Sequence, residues 1–454
     1  MLAIVVSRAD SASVHVGERL RDLADWTASE DGSRSDAEGG GRYHTARGVE
    51  LREFDDLHLD LERPADAFSE RPDLLVFASR HAGDTGALLT AHTTGNFGPA
   101  DYGGEPNALA RAAPNALARI HEAFERHAPE GYDVGMECTH HGPTEVGAPS
   151  LFAELGSGEA QWADPAGAEA VARAVLDLRG IDPDRERQVV GFGGGHYVRR
   201  FERVVEETDW AVGHVAADWG LEAMGDPRDP ANRALIGRAF ERSAATRALL
   251  DGGDDSPAMR EAIESAGYEV VGETWLRETS GVPLALVERA GEALSTVADG
   301  LRFGAAAEGS DGGFEVRSLP ADLLAEAVGI DREGAREAVA DRAVAFETTE
   351  NGTVPDGRAA FVDPTDRTAV VDGLLEVLRG KYDSVEREGG VAVARTSGFD
   401  PEKAHTLGVP EGPAFGRLAA GQSVEVDGRE IPPEAVESGT EQRFPLGHSD
   451  SSKT

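Results

Sequence analysis

Short unbroken apolar runs set the strongest limit on how this chain can fold. Residues 2–7, 74–79, 134–137, 188–191 and 211–215 are each too short for a buried helix and lack the alternation of a strand with one wet face. They read as strands buried on both faces. Between them lie segments with apolar residues at helical spacing: 13–26, carrying Val16, Leu20 and Leu23, then 115–127, 165–178 and 197–207. Strand alternating with helix implies an α/β fold, a mixed, mostly parallel sheet with helices on both faces. Residues 27–47 are rich in Gly, Ser and Asp without a period, which predicts a surface loop. The string Pro-Asn-Ala-Leu-Ala-Arg occurs at 106–111 and again at 114–119. One duplication is no repeat architecture, and Pro114 suits the first position of a helix.

After residue 280 histidine remains only at His405 and His448, and helical patterns at 321–328, 332–344 and 368–378 lead into a β-like end. The change in character predicts a first α/β domain over 1–280, closing with helices at 231–250 and 258–266. An α+β domain of unassigned role follows over 281–437, and then a polar, disordered tail over 438–454.

The 454 residues carry 44 Lys+Arg against 83 Asp+Glu, a formal net charge of −39, and lysine occurs only at Lys381, Lys403 and Lys453. Acidity spread over the whole chain suits a cytoplasm of multimolar salt, where repulsion is screened within about 3 Å at 1 M. It therefore says little about partners. The single cysteine, Cys138, excludes an internal disulfide and a cysteine-rich zinc module. The run at 2–7 is too short for a signal peptide, and no stretch approaches the roughly 18–20 apolar residues of a membrane span. A cytosolic protein with no membrane partner is expected, and a monomer is favoured.

The histidines carry the chemical information. His81, His92, His140, His141, His196 and His214 fall at or near the ends of predicted strands, accompanied by Asp84, Glu137, Glu145 and Asp218. In an open α/β sheet the crevice beyond the strand ends binds ligands. Imidazole with carboxylate and no thiolate suits a catalytic Zn²⁺ that keeps one position for water. His81, Asp84, His140, His196 and His214 are the expected metal ligands. Of His140 and His141 one alone is expected to bind, because neighbours on an extended chain point to opposite faces. His81-Ala-Gly-Asp84 could present both side chains to one metal from a tight turn. Glu137, His140 and His141 form the expected catalytic group, with Glu137 assigned to orienting a histidine and general base as its alternative.

Other patterns are weaker. Gly191-Phe-Gly193-Gly194-Gly195-His196 lacks the third glycine of a dinucleotide fingerprint, and no P-loop is present. Gly193, Gly194 and Gly195 still allow close backbone approach, and the following helix start can hold a phosphate. Arg199 and Arg200 could grip the phosphates of a nucleic acid end, or pair with Glu202, Glu206 or Glu207 on a solvated face. His121 and His127 are six apart, not four, and read as surface residues. Glu137 beside Cys138 raises a thiol pKa, so Cys138 reads as buried and structural.

The strings SRHAGDTGALLTAHTTGNFG, GMECTHHGPTEVGAPSLFAELGS, GFGGGHYVRRF and VGHVAADWGL, all within residues 74–222, resemble the archaeal and plant zinc-associated D-aminoacyl-tRNA deacylases. MLAIVVSRADSAS resembles that family's N-terminal strand. LGVPEGPAFGRLAAGQSVEVDG, at 407–428, is similar to an element near the end of longer members, and strings of the form G-P-x-[FY]-G-x-L occur in tRNA-processing enzymes. The resemblance implies hydrolysis of the ester between a D-amino acid and the terminal ribose at the acceptor end of tRNA. It also implies associated zinc, two ions per chain, and a fold akin to peptidyl-tRNA hydrolases and phosphorylase-like hydrolases. Two alternatives stand beside it: a zinc amidohydrolase or carboxypeptidase acting on a small amide, and a non-catalytic RNA-binding protein. The latter leaves the strand-end histidines unexplained and lacks basic or aromatic patches.

Overall fold

A computed structural model of the protein describes residues 1–252, 257–310 and 313–447. They fall into two units, 1–280 and 281 onward.

The first unit holds two sheets. Its strands are β1 (Leu2–Ser7), β2 (Thr27–Asp31), β3 (Gly41–Ala46), β4 (Val49–Phe54), β5 (Leu74–Arg80), β6 (Leu88–His92), β7 (Asp133–Met136), β8 (Ser150–Gly156), β9 (Gln188–Gly193), β10 (Ala211–Ala216), β11 (Arg247–Asp251) and β12 (Glu269–Val271). The larger sheet has the order β2-β3-β4-β1-β5-β8-β6-β7 and the smaller the order β10-β9-β11-β12. In the larger sheet β4, β1, β5 and β8 run parallel, β6 runs antiparallel to β8, and β7 lies parallel to β6. The smaller sheet is wholly parallel.

A mixed, mostly parallel sheet flanked by helices is thus present, yet the strands expected in one sheet are divided between two. The expected loop at 27–47 contains β2 and β3, which form the exposed edge of the larger sheet. An edge strand with both faces wet carries no apolar period, so composition conceals it. Central strands behave as their composition implies: every residue of β1, β8, β9 and β10 is buried. Asp10 starts the helix Ser11–Leu23 by accepting from the N–H groups of Ala12 and Ser13 at 3.0 and 3.2 Å, an N-cap that satisfies two otherwise orphaned donors. Pro114 opens the helix Pro114–His127 at its first position.

The second unit contains a four-stranded antiparallel sheet covered by the helices Ala321–Ile330, Arg332–Ala340 and Asp366–Leu378 around Leu323, Phe346, Phe361 and Leu374. The polar stretch from Ser438, expected as a tail, instead pairs through Pro445 with the strand Val391–Phe399. Its side chains are mostly exposed, so pairing rests on the backbone and leaves no apolar signature. Residues 448–454 lie outside the described residues.

Beneath the histidine-bearing strands, Phe77 of β5 stacks on Phe152 of β8 at 4.5 Å, and His58 meets both rings edge-on at 5.8 and 5.7 Å. Burial drives the His58 pKa down to about 3. Unfolded, this group binds a proton near pH 6.5, whereas folded it stays neutral, so its contribution is complete above pH 6.5 and is lost as the pH falls towards 3. His58→Leu should flatten the fall in unfolding free energy between pH 6 and pH 4.5 by about 1.4 kcal/mol per pH unit, measured by denaturant titration in high salt. An unaltered slope would show that His58 titrates normally in the folded chain.

Candidate active site

The site forms where the two sheets of the first unit are sewn together. Because β6 opposes β8, His92 stands beside Phe152 and Thr90 beside Glu154. Beyond β7 the chain continues into Glu137, whose N–H donates to Ala91 O at 3.1 Å. The turn after β9 and strand β10 meet it from the smaller sheet: Cys138 N–H donates to His196 O at 2.9 Å, Val198 N–H to Met136 O at 3.1 Å, and Thr139 N–H to Val215 O at 2.8 Å. Glu137 therefore lies on the seam between the sheets.

Its carboxylate is the centre of an imidazole shell. His196 Nε2 is 2.8 Å from Oε2, His140 Nε2 is 3.6 Å from the same oxygen, and His81 Nε2 is 3.5 Å from Oε1. Burial opposes ionisation of Glu137, but the hydrogen bond from His196 and the facing His92, His140 and His81 outweigh it and hold the group well below the usual carboxylate range. His81 is fixed in turn by Ser157 Oγ at Nδ1 and Tyr197 Oη at Nε2, both at 3.0 Å. Ser157 is also hydrogen-bonded to Thr85.

A second group adjoins the first. The rings of His92, His140 and His141 lie 4.2–4.8 Å apart, with Phe152 packed against His92 and His141. Each of the three donates its Nδ1 proton to a backbone carbonyl: Thr93 O at 3.0 Å, Cys138 O at 2.8 Å and Gly142 O at 2.6 Å. A carbonyl can only accept, so these bonds place a proton on each Nδ1 and leave the Nε2 lone pairs of His140 and His141 turned inward, while for His92 burial is outweighed by the facing Glu154, which raises its pKa. Burial, then the neighbouring His92, push His140 and His141 well below the ordinary imidazole value, which keeps them neutral.

This arrangement fits a metal. Ligand atoms of His92, His140 and His141 lie within 4.8 Å of one another, as do those of His81, Glu137 and His196, of His92, Glu137 and Glu154, and of Cys138, His140 and His196. His92 Nε2 and Glu137 Oε1 are buried without a hydrogen-bond partner, and an orphaned buried donor or acceptor is costly unless something completes it. Neutral imidazole with carboxylate is a donor set for zinc and related cations.

The structure brings His81, Glu137, His140, His141 and His196 together. His140 and His141 both turn inward, contrary to the extended-chain expectation, because His141 has a positive φ of 47°. That conformation breaks the alternation on which the expectation rested. Asp84 stands on an exposed turn outside every such group. His214 is not brought in either: within β10 its Nε2 donates to Ala110 O at 2.9 Å while Nδ1 lies 3.1 Å from Thr139 Oγ1. Burial lowers its pKa to about 4, and both nitrogens are committed to fastening the seam. Cys138 is buried, and burial with Glu137 alongside pushes its thiol up to about 12, 3.8 Å from His196 Nδ1. His121 is buried rather than superficial, its Nε2 3.2 Å from Glu206.

The glycine turn is already engaged in part. Gly194 N–H donates to the Asp218 carboxylate at 3.1 Å, and a Cβ on Gly193 or Gly194 would strike Asp251. The helix begins at Arg199; Arg199 pairs with Glu202 at 2.6 Å, and Arg200 pairs with Glu273 at 3.3 Å and donates to Leu250 O at 2.8 Å. Sequence reasoning missed Glu154, whose signal was one acid inside the fully buried run of β8, a placement that demands a partner. Glu154 Oε1 accepts from Ser79 at 2.6 Å and lies 3.5 Å from His92 Nε2. His92, grouped with the strand-end histidines, had been left out of the ligand set.

Imidazoles converging on a buried, ionised carboxylate, at the joint of an α/β domain, suit a hydrolase. The pattern that defines the D-aminoacyl-tRNA deacylases matches residues 68–271. Proteins named D-aminoacyl-tRNA deacylase from Natronomonas pharaonis and Haloarcula marismortui are 56% and 52% identical, each over 98% of this chain and 100% of its own length. One from Methanoregula boonei is 33% identical over 98% of both. The crystal structure of a conserved protein of unknown function, AF0625, superposes with a TM-score of 0.55 at 27% identity, covering 62% of this chain and 98% of its own. The chain belongs to the D-aminoacyl-tRNA deacylase family, hydrolases of the ester between a D-amino acid and tRNA.

Titration of metal-free protein with Zn²⁺ should separate the two kinds of histidine. His92→Ala should weaken zinc binding by at least about 10-fold. His214→Ala should keep the wild-type zinc stoichiometry and lose roughly 1–3 kcal/mol of stability, because Ala110 O is left unpaired in the core. Loss of zinc from His214→Ala with normal stability would return His214 to the ligands.

Proposed function

We propose that this chain hydrolyses D-aminoacyl-tRNA at the Glu137–histidine seam, releasing the free D-amino acid, and that His92, His140 and His141 hold zinc beside the Glu137 carboxylate, which His81 and His196 position. The observation that carries the site assignment is the orphaned, buried pair His92 Nε2 and Glu137 Oε1. Bound zinc would bring the pKa of water towards about 7 and polarise the ester carbonyl. The chain's own residues supply the rest. Glu137 Oε2 is committed to His196, while Oε1 is free to take the proton of the attacking water and return it to the departing ribose oxygen. This favours general base over the orienting role first expected of Glu137. Phe152 and the buried walls of β6 and β8 keep bulk water from the imidazoles.

Whole-chain relatives named deacylases leave the amidohydrolase and the non-catalytic RNA-binding alternatives without comparable support. A charged tRNA substrate supports a cytoplasmic reaction. The excess of 83 Asp+Glu over 44 Lys+Arg supports work in multimolar salt, where such a surface is screened. No helix among the described residues is long and apolar enough to cross a membrane.

In high salt the protein should release D-tyrosine from tRNA much faster than L-tyrosine and lose the activity to a chelator. Glu137→Gln should lower the rate by about 10² to 10⁴ with zinc retained. Loss of zinc together with activity would instead mark Glu137 as an orienting residue. Every member of the seam precedes Ser280, the end of the first unit. We further propose that 1–280 is the catalytic domain: that fragment should fold and retain deacylation, and a folded but inactive fragment would give residues from 281 onward a part in the reaction.

A further inference from the structure

The chain must take hold of an RNA end, and several features that looked suited to phosphate already have partners. Gly194 N–H is already held by a carboxylate, and Arg199 and Arg200 are paired with Glu202 and Glu273. Beside that turn stands an aromatic side chain that the mechanism has not used. Trp219 lies in the first turn of the helix Asp218–Met224, and 51% of it is exposed. Its indole lies close to the Cys138 thiol, and that sulfur is 3.8 Å from His196 Nδ1. The helix is anchored to the glycine turn twice, by Asp218 N–H to Gly194 O at 2.9 Å and by Gly194 N–H to the Asp218 carboxylate at 3.1 Å. The ring is thus held at the edge of the seam while much of it faces water.

A second exposed ring belongs to the loop packed on that helix. Tyr102 is 72% exposed, and its carbonyl accepts from Gly142 N–H at 3.0 Å, next to His141. Asn96 Nδ2 clasps the loop by donating to Gly103 O and Glu105 O at 3.0 and 3.1 Å. A Cβ on Gly98 would come within 2.8 Å of the Ala223 Cβ, so loop and helix are in close contact. Tyr102 and Trp219 are the only aromatic residues among the four large apolar side chains that stand most exposed in the described residues, and both are tied to the segment that carries the histidines.

We infer that Trp219, assisted by Tyr102, is a stacking platform for an unpaired nucleobase at the 3′ end of the RNA, which places the terminal ribose ester over the Glu137–histidine seam. This rests on the deacylase reading above and adds how the substrate is gripped. Stacking on an aromatic face needs no base identity and contributes about 1–3 kcal/mol per base. It also survives salt that screens phosphate contacts. Trp219 acts as a positioning residue: it touches the base, not the reacting atoms.

The test compares Trp219→Ala and Trp219→Phe on two substrates, D-tyrosyl-tRNA and the ethyl ester of D-tyrosine, in multimolar KCl. On the tRNA, Trp219→Ala should raise KM by about 5- to 100-fold with kcat within about 2-fold, and Trp219→Phe, which keeps a ring but loses the indole N–H, should restore most of the affinity. On the simple ester the two variants should turn over alike. Independently of turnover, the trinucleotide CCA should quench the tryptophan fluorescence of the wild-type protein but not of Trp219→Phe. An unchanged KM for Trp219→Ala on tRNA, an equal loss on both substrates, or quenching that persists in Trp219→Phe would overturn the platform. A wild-type protein that leaves D-tyrosyl-tRNA intact would overturn the deacylase reading instead, while the fluorescence arm still decides whether Trp219 meets a base.

Discussion

One buried negative charge organises this molecule. Glu137 sits almost out of reach of water, where an isolated carboxylate would be driven to take up a proton. It stays ionised because the hydrogen bond from His196 after β9, with the facing His92 at the end of β6 and His81 after β5, outweighs its burial. The two sheets are joined through the backbone of residues 136–139 and 196–198, so the ladder that unites the sheets also sets the carboxylate among its partners. Packing and chemistry share one set of bonds here. A change that loosened the seam would separate the histidines before it exposed much core.

The same economy appears around the individual rings. Phe152 stacks on His92 and meets His141 edge-on, so the core of β5 and β8 limits how far those imidazoles can rotate. Carbonyls of Thr93, Cys138 and Gly142 then choose the tautomer. A side chain constrained by packing on one side and by a backbone acceptor on the other needs little reorganisation when a ligand arrives, which is the structural content of preorganisation. His214 shows the contrast: equally buried, it has a partner at each nitrogen and nothing left to offer.

How much of this could be read from the sequence follows from what burial does to composition. Strands such as β1, β9 and β10 announce themselves because both faces are covered, and a covered face accepts only apolar side chains. β2, β3 and the strand Glu437–Pro445 are held by backbone pairing at wet edges, so their residues are free to look like loop. The histidines at 81, 140, 141 and 196 were legible as strand-end residues, but which imidazoles share a pocket depends on hydrogen bonds that cross the sheets. His214 lies inside β10 and spends both nitrogens on the core. The mutual approach of His140 and His141 depends on a single positive φ at a non-glycine residue, a choice that no local preference favours. Glu154 was hidden for the opposite reason: an acid within an apolar run resembles a solvent-facing position until its partners are seen.

The strong acidity takes on a different meaning once the ion pairs are visible. Arginines near the seam are employed in fastening elements together: Arg200, Arg203 and Arg277 all converge on Glu273, whose carboxyl the Arg203 hydrogen bond, outweighing partial burial, draws down to about 2. Such close pairs are less sensitive to salt than long-range fields, because their separation is comparable with the screening length of about 3 Å at 1 M. Arginine committed in this way cannot also steer a polyanion, and at multimolar salt no steering field would reach far in any case. What the seam presents to a substrate carries little net charge: an ionised carboxylate offset by facing imidazoles, hydroxyls of Tyr197 and Ser157, and aromatic rings at its margin. A carboxylate-rich protein can act on an RNA ester when the contacts that discriminate operate at van der Waals range, where the net charge of the whole molecule has no say.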